Sequence, residues 1–288
     1  MAKYNKSNQI TEIVKCGKNP VYFFNNYLKI QHPVKGLIGF ATYPFQDDCV
    51  RDFIDHRFNI ILKSRQIGMS TLSAAYAVWL ALFQKDKNIL IIATKMSVAQ
   101  QFITKVKVMI RSLPPWLVLP QIVTNNKQLL EFSHGSSIKA ISTSDDAGRG
   151  EALSLLIIDE AAFVRNFDQL WMGLYPTIST GVYPTISTGG RVIILSTPNG
   201  VGGQYYKLYT DAEAGLNEFN GIRLPWTVHP ERDDDWFAKT TGNMSDRQIA
   251  QEFLCDFASS GETVIVPANV LAISSGRTVA DMVIVASS

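Results

Sequence analysis

The chain has 288 residues, 46% hydrophobic and 18% charged, which gives room for one large globular domain or two modest ones. That composition excludes wholesale disorder, a collagen-like repeat and a coiled-coil rod. Lys and Arg total 27 against 25 Asp and Glu, and the net charge of +2 neither announces nor excludes a nucleic-acid partner.

In chain order, Asn59 to Leu62 reads as a buried strand, and Ser70 to Phe83 as a helix too apolar to leave a wide exposed face. Ile89 to Ala93 is a second strand, followed by a helix from an N-cap at Ser97 to Leu113, where Pro114 and Pro115 stop it. Shorter strands are predicted at Leu129 to Phe132 and Ile138 to Ile141, and buried strands at Leu153 to Ile158 and Val192 to Leu195. Helical segments are expected near Phe167 to Leu174, Gln204 to Ala214 and Ser245 to Phe257. The alternation is that of a mainly parallel central sheet flanked by helices. An eight-residue tandem copy, YPTISTGV at Tyr175–Val182 and YPTISTGG at Tyr183–Gly190, is too short for a solenoid unit, and is expected to form an extended surface loop before Val192.

Cys16, Cys49 and Cys255 form no C-x-x-C pair and the four histidines are scattered, so neither a zinc site nor a disulfide framework is suggested. The first 20 residues hold no apolar run, and no segment is apolar for the ~18 residues a membrane span needs. A reducing cytoplasm is the expected compartment.

Three segments carry chemistry. Lys63-Ser64-Arg65-Gln66-Ile67-Gly68-Met69-Ser70-Thr71 lies between a strand and a helix, the setting in which backbone N–H groups and a helix N-terminus can face a phosphate. It meets the pattern G-x-x-x-x-G-K-[ST] only at Gly68 and Ser70, so a ligand-free polar turn stands beside the phosphate-loop reading. Leu155 to Glu160 is an apolar strand ending in Asp159 and Glu160, an acid for a metal shell and one to orient or deprotonate water. With a separation of about ninety residues and the right order, the two segments together fit an additional-strand P-loop ATPase (RecA-like) using ATP and Mg²⁺. Leu195-Ser196-Thr197-Pro198-Asn199-Gly200 ends a third strand with small hydroxyl residues that can face the same crevice.

At these residues the sequence resembles the large subunit of the DNA-packaging terminase of tailed bacteriophages. The likeness runs from about Phe45 to Thr263, through SRQIGMST, AGRGEALSLLIIDEAAF (Ala147–Phe163), LSTPNG, VHPERD (Val228–Asp233), EFLCDF and SSGETVI. It implies an ATP-driven motor that moves double-stranded DNA through a portal protein into a procapsid. Such a motor works as a homo-oligomeric ring in the host cytoplasm, alongside a small terminase subunit and with no membrane partner. By the same resemblance Gln46 contacts adenine, and Gly68, Met69, Ser70 and Thr71 form the phosphate loop with the Ser70 hydroxyl on Mg²⁺. Asp159 is the metal-associated acid, Glu160 the catalytic glutamate, and Ser196-Thr197-Pro198 the coupling motif. Met69 departs from the lysine of the usual pattern; Lys63 or Arg65 could reach back over the phosphates instead, Arg65 also matching a cis-acting arginine finger. Arg149 is a candidate finger acting in trans.

Residues 1–57 are expected to form an N-terminal lid and adenine-side segment, 58–214 the ATPase core, 215–266 a lid subdomain and 267–288 a short tail. The nuclease domain of full-length terminases has no counterpart in that division. A superfamily-2 helicase-like translocase and a non-catalytic assembly subunit with a degenerate nucleotide site are the competing readings. The basic residues Lys95, Lys105 and Lys107 are expected to be a solvated helix face.

Overall fold

The structure is a computed structural model that describes residues 6–143, 152–179 and 189–261. Two helices, α1 (Lys6–Lys18) and α2 (Pro20–Tyr27), lead into a small hairpin of β1 (Lys29–His32) and β2 (Gly36–Gly39), and α3 (Pro44–Asp55) delivers the chain to the main sheet. There β3 (Phe58–Lys63), α4 (Met69–Phe83), β4 (Asn88–Ala93) and α5 (Met96–Arg111) follow, then β5 (Ile122–Asn125), β6 (Leu129–Phe132), β7 (Ser137–Ser142) and β8 (Leu155–Asp159). The chain continues through α6 (Phe167–Ser179), β9 (Arg191–Ser196), α7 (Gly203–Glu213) and β10 (Asn220–Leu224). The described residues end with α8 (Asp234–Thr241), α9 (Asp246–Ile249) and α10 (Phe257–Ser260).

Among the described residues the main sheet has eight strands, ordered β10-β3-β9-β8-β4-β7-β6-β5. From β10 to β7 every neighbouring pair is parallel, and β6 and β5 add an antiparallel edge. Because side chains alternate along a strand, each central strand feeds two layers. Ile61, Ile91, Ile157 and Leu195 face the helices α2 to α5, whereas Ile60, Leu62, Ile92, Ile158 and Ile194 face α6 and α7. Burial on both faces accounts for the unbroken apolar runs of β3, β4, β8 and β9. Helix α4 is enclosed, with no exposed residue, as its composition predicts. Among the described residues no helix is long and apolar enough to cross a membrane.

Several expectations need correcting. Asn220–Leu224, within the stretch assigned to a lid, pairs in register with β3 and belongs to the core sheet; its Gly and Arg had hidden the strand pattern. The first half of the tandem copy is no extended loop: Tyr175–Ser179 continues α6, because Leu170, Leu174 and Ile178 fall at four-residue spacing and are buried against the sheet. Residues 180–188 lie outside the described residues. The single helix expected over Ser245 to Phe257 is broken: α9 widens into a π-helical turn over Ala250–Leu254, and Cys255 turns left-handed (φ 54°). That turn places the Cys255 thiol against the Leu224 and Leu62 carbonyls. Helix α5 starts before the residue expected to cap it, from an extended Lys95.

The N-terminal helices are pinned by one carboxylate. Glu12 on α1 accepts hydrogen bonds from Lys15 Nζ (2.9 Å), Tyr22 Oη (2.7 Å) and Tyr27 Oη (2.7 Å), and these donors pull its pKa down from 4.5 to about 2. A depressed carboxylate stabilises the fold fully above its unfolded pKa and loses that contribution as pH falls towards the folded value. Glu12→Gln should cost about 1–3 kcal/mol at neutral pH and flatten the acid dependence of the melting temperature between roughly pH 4.5 and 2. Thermal melts of both proteins across that window check it.

Candidate functional site

Three parallel strands end together. Leu62 of β3 is in register with Ser196 of β9, and Leu195 of β9 with Asp159 of β8, so Lys63, Ser196, Asp159 and Glu160 gather at one edge. The strand inserted between the lysine-bearing β3 and the acid-bearing β8 is β9, the arrangement that the additional-strand reading requires. Carboxyl ends of parallel strands are where open α/β sheets bind ligands.

Lys63 is 5% exposed and its Nζ lies 2.8 Å from Glu160 Oε1. Glu160 adopts a left-handed backbone (φ 55°, ψ 47°), a conformation that costs a non-glycine residue about 1–3 kcal/mol and that collects at functional sites. Its other oxygen is 3.5 Å from Ser196 Oγ, which also accepts from the Ala162 N–H at 3.1 Å. Thr197 and Pro198 are buried beside it. A cleft of about 280 Å³ opens over Glu160, lined by Arg65, Thr94, Phe163, Thr197 and Glu252.

Asp159 is 5% exposed, and burial pushes its pKa up, against the opposing effects of the Lys63 charge and a Ser70 hydrogen bond. Its Oδ1 is buried without a hydrogen-bond partner. An orphaned carboxylate oxygen beside a hydroxyl fits a hard divalent cation such as Mg²⁺. Among the described residues no group of three or more His, Cys, Asp or Glu could hold a metal ion by itself.

The loop from Ser64 to Gly68 turns from β3 into α4. Gln66 (φ 57°) and Gly68 (φ 81°) are left-handed, and a Cβ on Gly68 would sit 2.7 Å from Gln46 Nε2. Ser64 N–H donates to Leu224 O at 2.7 Å and Arg65 N–H to Glu252 O at 2.7 Å. Met69 is 1% exposed and packs into the core layer, away from any role as a phosphate donor. Of the two upstream bases, Lys63 turns inward to Glu160, whereas Arg65 is exposed and paired with Glu252 at 3.1 Å. Thr71 and Gln46 border a neighbouring cleft of about 550 Å³ with Tyr43, Ile67, Gly68 and His229. The Gln46 amide is already engaged there, accepting from Tyr43 N–H (3.1 Å) and donating to Ile67 O (3.1 Å). Arg149 lies outside the described residues.

Sequence reasoning missed Arg232 and Glu252. Arg232 donates to Gln66 O (2.8 Å) and Arg65 O (3.2 Å) and stacks on Trp236 with its guanidinium 4.4 Å from the ring centroid. Both residues lie in VHPERD and EFLCDF, segments that carried the resemblance without a role attached, and an arginine there was the available signal. Lys105 is not part of a purely solvated face: it is open to solvent yet close enough to Asp159 and Lys63 for their charges to act on it, and the surrounding protein lowers its pKa. Lys107 donates to Asn126 O at 2.6 Å.

A family model described as terminase large subunit, T4-like-virus type, N-terminal, matches residues 60–268. The fold is similar to the large terminase ATPase domain of Thermus phage P74-26, with a TM-score of 0.62 and 20% identity over 76% of this chain and 95% of that one. The HK97 bacteriophage large terminase gives 0.65 and 16%, over 83% of this chain and 55% of that one. The large terminase of a thermophilic bacteriophage, solved in complex with ADP, gives 0.55 and 12%, over 72% and 50%. The chain therefore spans about half the length of the last two.

Gly68→Ala would force a side chain onto a left-handed backbone and against the Gln46 amide. It is expected to destabilise by more than about 1 kcal/mol, read from denaturant unfolding with an unchanged m-value.

Proposed function

The chain belongs to the terminase large subunit family of T4-like-virus type, and from that premise we propose that it is an ATP-hydrolysing motor that drives double-stranded DNA into a viral procapsid. The observation that carries this reading is the Lys63–Glu160 pair beside the partnerless Asp159 oxygen, at the ends of three adjacent parallel strands.

In this reading the N-terminus of α4 and the loop before it receive the ATP phosphates. Ser70 and Asp159 would hold Mg²⁺, which would supply neutralisation of the phosphate charge. Glu160, held by Lys63 and touched by Ser196, orients the attacking water and takes its proton. Lys63 supplies the buried positive charge that Met69 lacks, and Arg65 stands at the mouth of the same cleft, where release from Glu252 would free it for the γ-phosphate. Arg149 from a neighbouring subunit completes the charge stabilisation in a ring. Gln46, Tyr43 and His229 border the cleft suited to a base.

Coupling follows from covalent continuity. Ser196 senses Glu160, Thr197 and Pro198 follow it, Asn199 Nδ2 donates to Ala162 O at 3.1 Å, and the Gly200 N–H donates to Ser260 Oγ on α10 at 2.9 Å. A shift of the glutamate therefore has a hydrogen-bonded route to the C-terminal helices. The portal protein, small terminase subunit and host cytoplasm belong to the same proposal.

Steady-state hydrolysis by the purified chain is the test. Glu160→Gln should lose about 10²- to 10⁴-fold in kcat while still binding nucleotide. Lys63→Ala and Arg65→Ala should both slow turnover; unchanged rates in the pair would remove the upstream-base assignment, and no turnover in the parent chain would favour a binding-only subunit. Stimulation by portal and procapsid rather than by single-stranded DNA separates a packaging motor from a helicase. For Arg149, rings mixing parent and Arg149→Ala subunits should lose activity out of proportion to the variant fraction.

A further inference from the structure

The loop between β3 and α4 is held from outside by side chains on other elements. Arg232 Nη1 donates to Arg65 O at 3.2 Å, Arg232 Nη2 to Gln66 O at 2.8 Å, and Gln46 Nε2 to Ile67 O at 3.1 Å. Three successive carbonyls are thus met by donors. All peptides here are trans, and in a planar trans peptide the N–H points opposite to the C=O. The N–H groups of Gln66, Ile67 and Gly68 are therefore turned away from Arg232 and Gln46, and among the described residues they have no acceptor. Successive N–H groups left open in this way, with left-handed residues at 66 and 68, form an anion-receptive concavity.

Such a loop is costly to hold empty, because Gln66 is a non-glycine residue at positive φ. The grip that offsets this cost is itself rigid. Arg232 stacks on Trp236, its backbone N–H donates to His229 O at 3.0 Å, and Trp236 N–H is fixed by the Asp233 carboxylate at 2.7 Å. Two N–H groups at fixed spacing on adjacent carbonyls are what a planar guanidinium provides and an ammonium does not.

We propose that Arg232 is a positioning residue for the nucleotide phosphates, keeping the loop in its anion-receptive form before a ligand arrives. The inference rests on the ATP-site reading of this loop. It assigns Arg232 to binding and not to the chemical step, because its donors face loop carbonyls and not the reacting centre.

The test uses the full chain with Arg232→Ala and Arg232→Lys, and measures ADP affinity by calorimetry, KM and kcat for ATP, and amide exchange of peptides covering residues 64–68 without nucleotide. Arg232→Ala should weaken ADP binding and raise KM by about 10- to 100-fold, the effect of losing charge-assisted hydrogen bonds that hold the site, with kcat within about threefold. Exchange should accelerate at the Ser64 and Arg65 amides, the hydrogen-bonded N–H groups of the loop, and not in α4. Arg232→Lys, which keeps the charge without the fixed planar pair of donors, should fall between, and it carries the comparison if the alanine variant does not fold. Unchanged exchange with unchanged KM, or a fall in kcat at constant KM, overturns the proposal. A parent chain that binds neither ADP nor ATP overturns the nucleotide reading instead, and the exchange data then decide by themselves whether Arg232 holds the loop.

Discussion

In-register pairing of β3, β9 and β8 puts Leu62 opposite Ser196 and Leu195 opposite Asp159, and so brings the next residues of three strands to one level. A slip of one residue would send every side chain of a strand to the other face. Ile60 and Leu62 would trade layers with Ile61, and Lys63 would leave Glu160. Because both faces of the sheet are filled, the core itself enforces this register, and the chemistry at the strand ends is positioned by hydrophobic packing far below it.

Charge at that edge is balanced locally. One buried lysine faces one aspartate whose ionisation burial opposes and one glutamate in a strained backbone. A carboxylate kept dry with an oxygen unpartnered is unfavourable by itself, and it is tolerated where a cation can complete it. The same edge explains why Met69 does not empty the site of positive charge. Lys63 enters from the strand side of the loop and is enclosed, while Met69 turns into the core with α4.

The loop between them shows a division of labour between near and distant sequence. Gly68 supplies the left-handed turn into α4, but Leu224, Arg232, Glu252 and Gln46, from both sides of the chain, meet the Ser64 and Arg65 N–H groups and the Arg65, Gln66 and Ile67 carbonyls. These come from β10, the stretch after it, the π-helical turn and α3, so segments outside the central motifs are needed to shape the loop.

Much of this was legible in the sequence by itself. Unbroken apolar runs located β3, β4, β8 and β9 because strands buried on two faces are predominantly apolar, and the order of SRQIGMST, LLIIDE and LSTPNG set the family. Local patterning also placed α4 and α7. Tertiary structure alone decided the rest, for reasons of distance and geometry. The edge strand β10 has too little apolar pattern to be seen until β3 offers it a partner. Tyr175–Ser179 became helix because the sheet buries Leu174 and Ile178, overriding the turn-like look of the repeat. Arg232 gained its place only when a loop 166 residues away in sequence came within hydrogen-bond reach, a juxtaposition that no local pattern encodes.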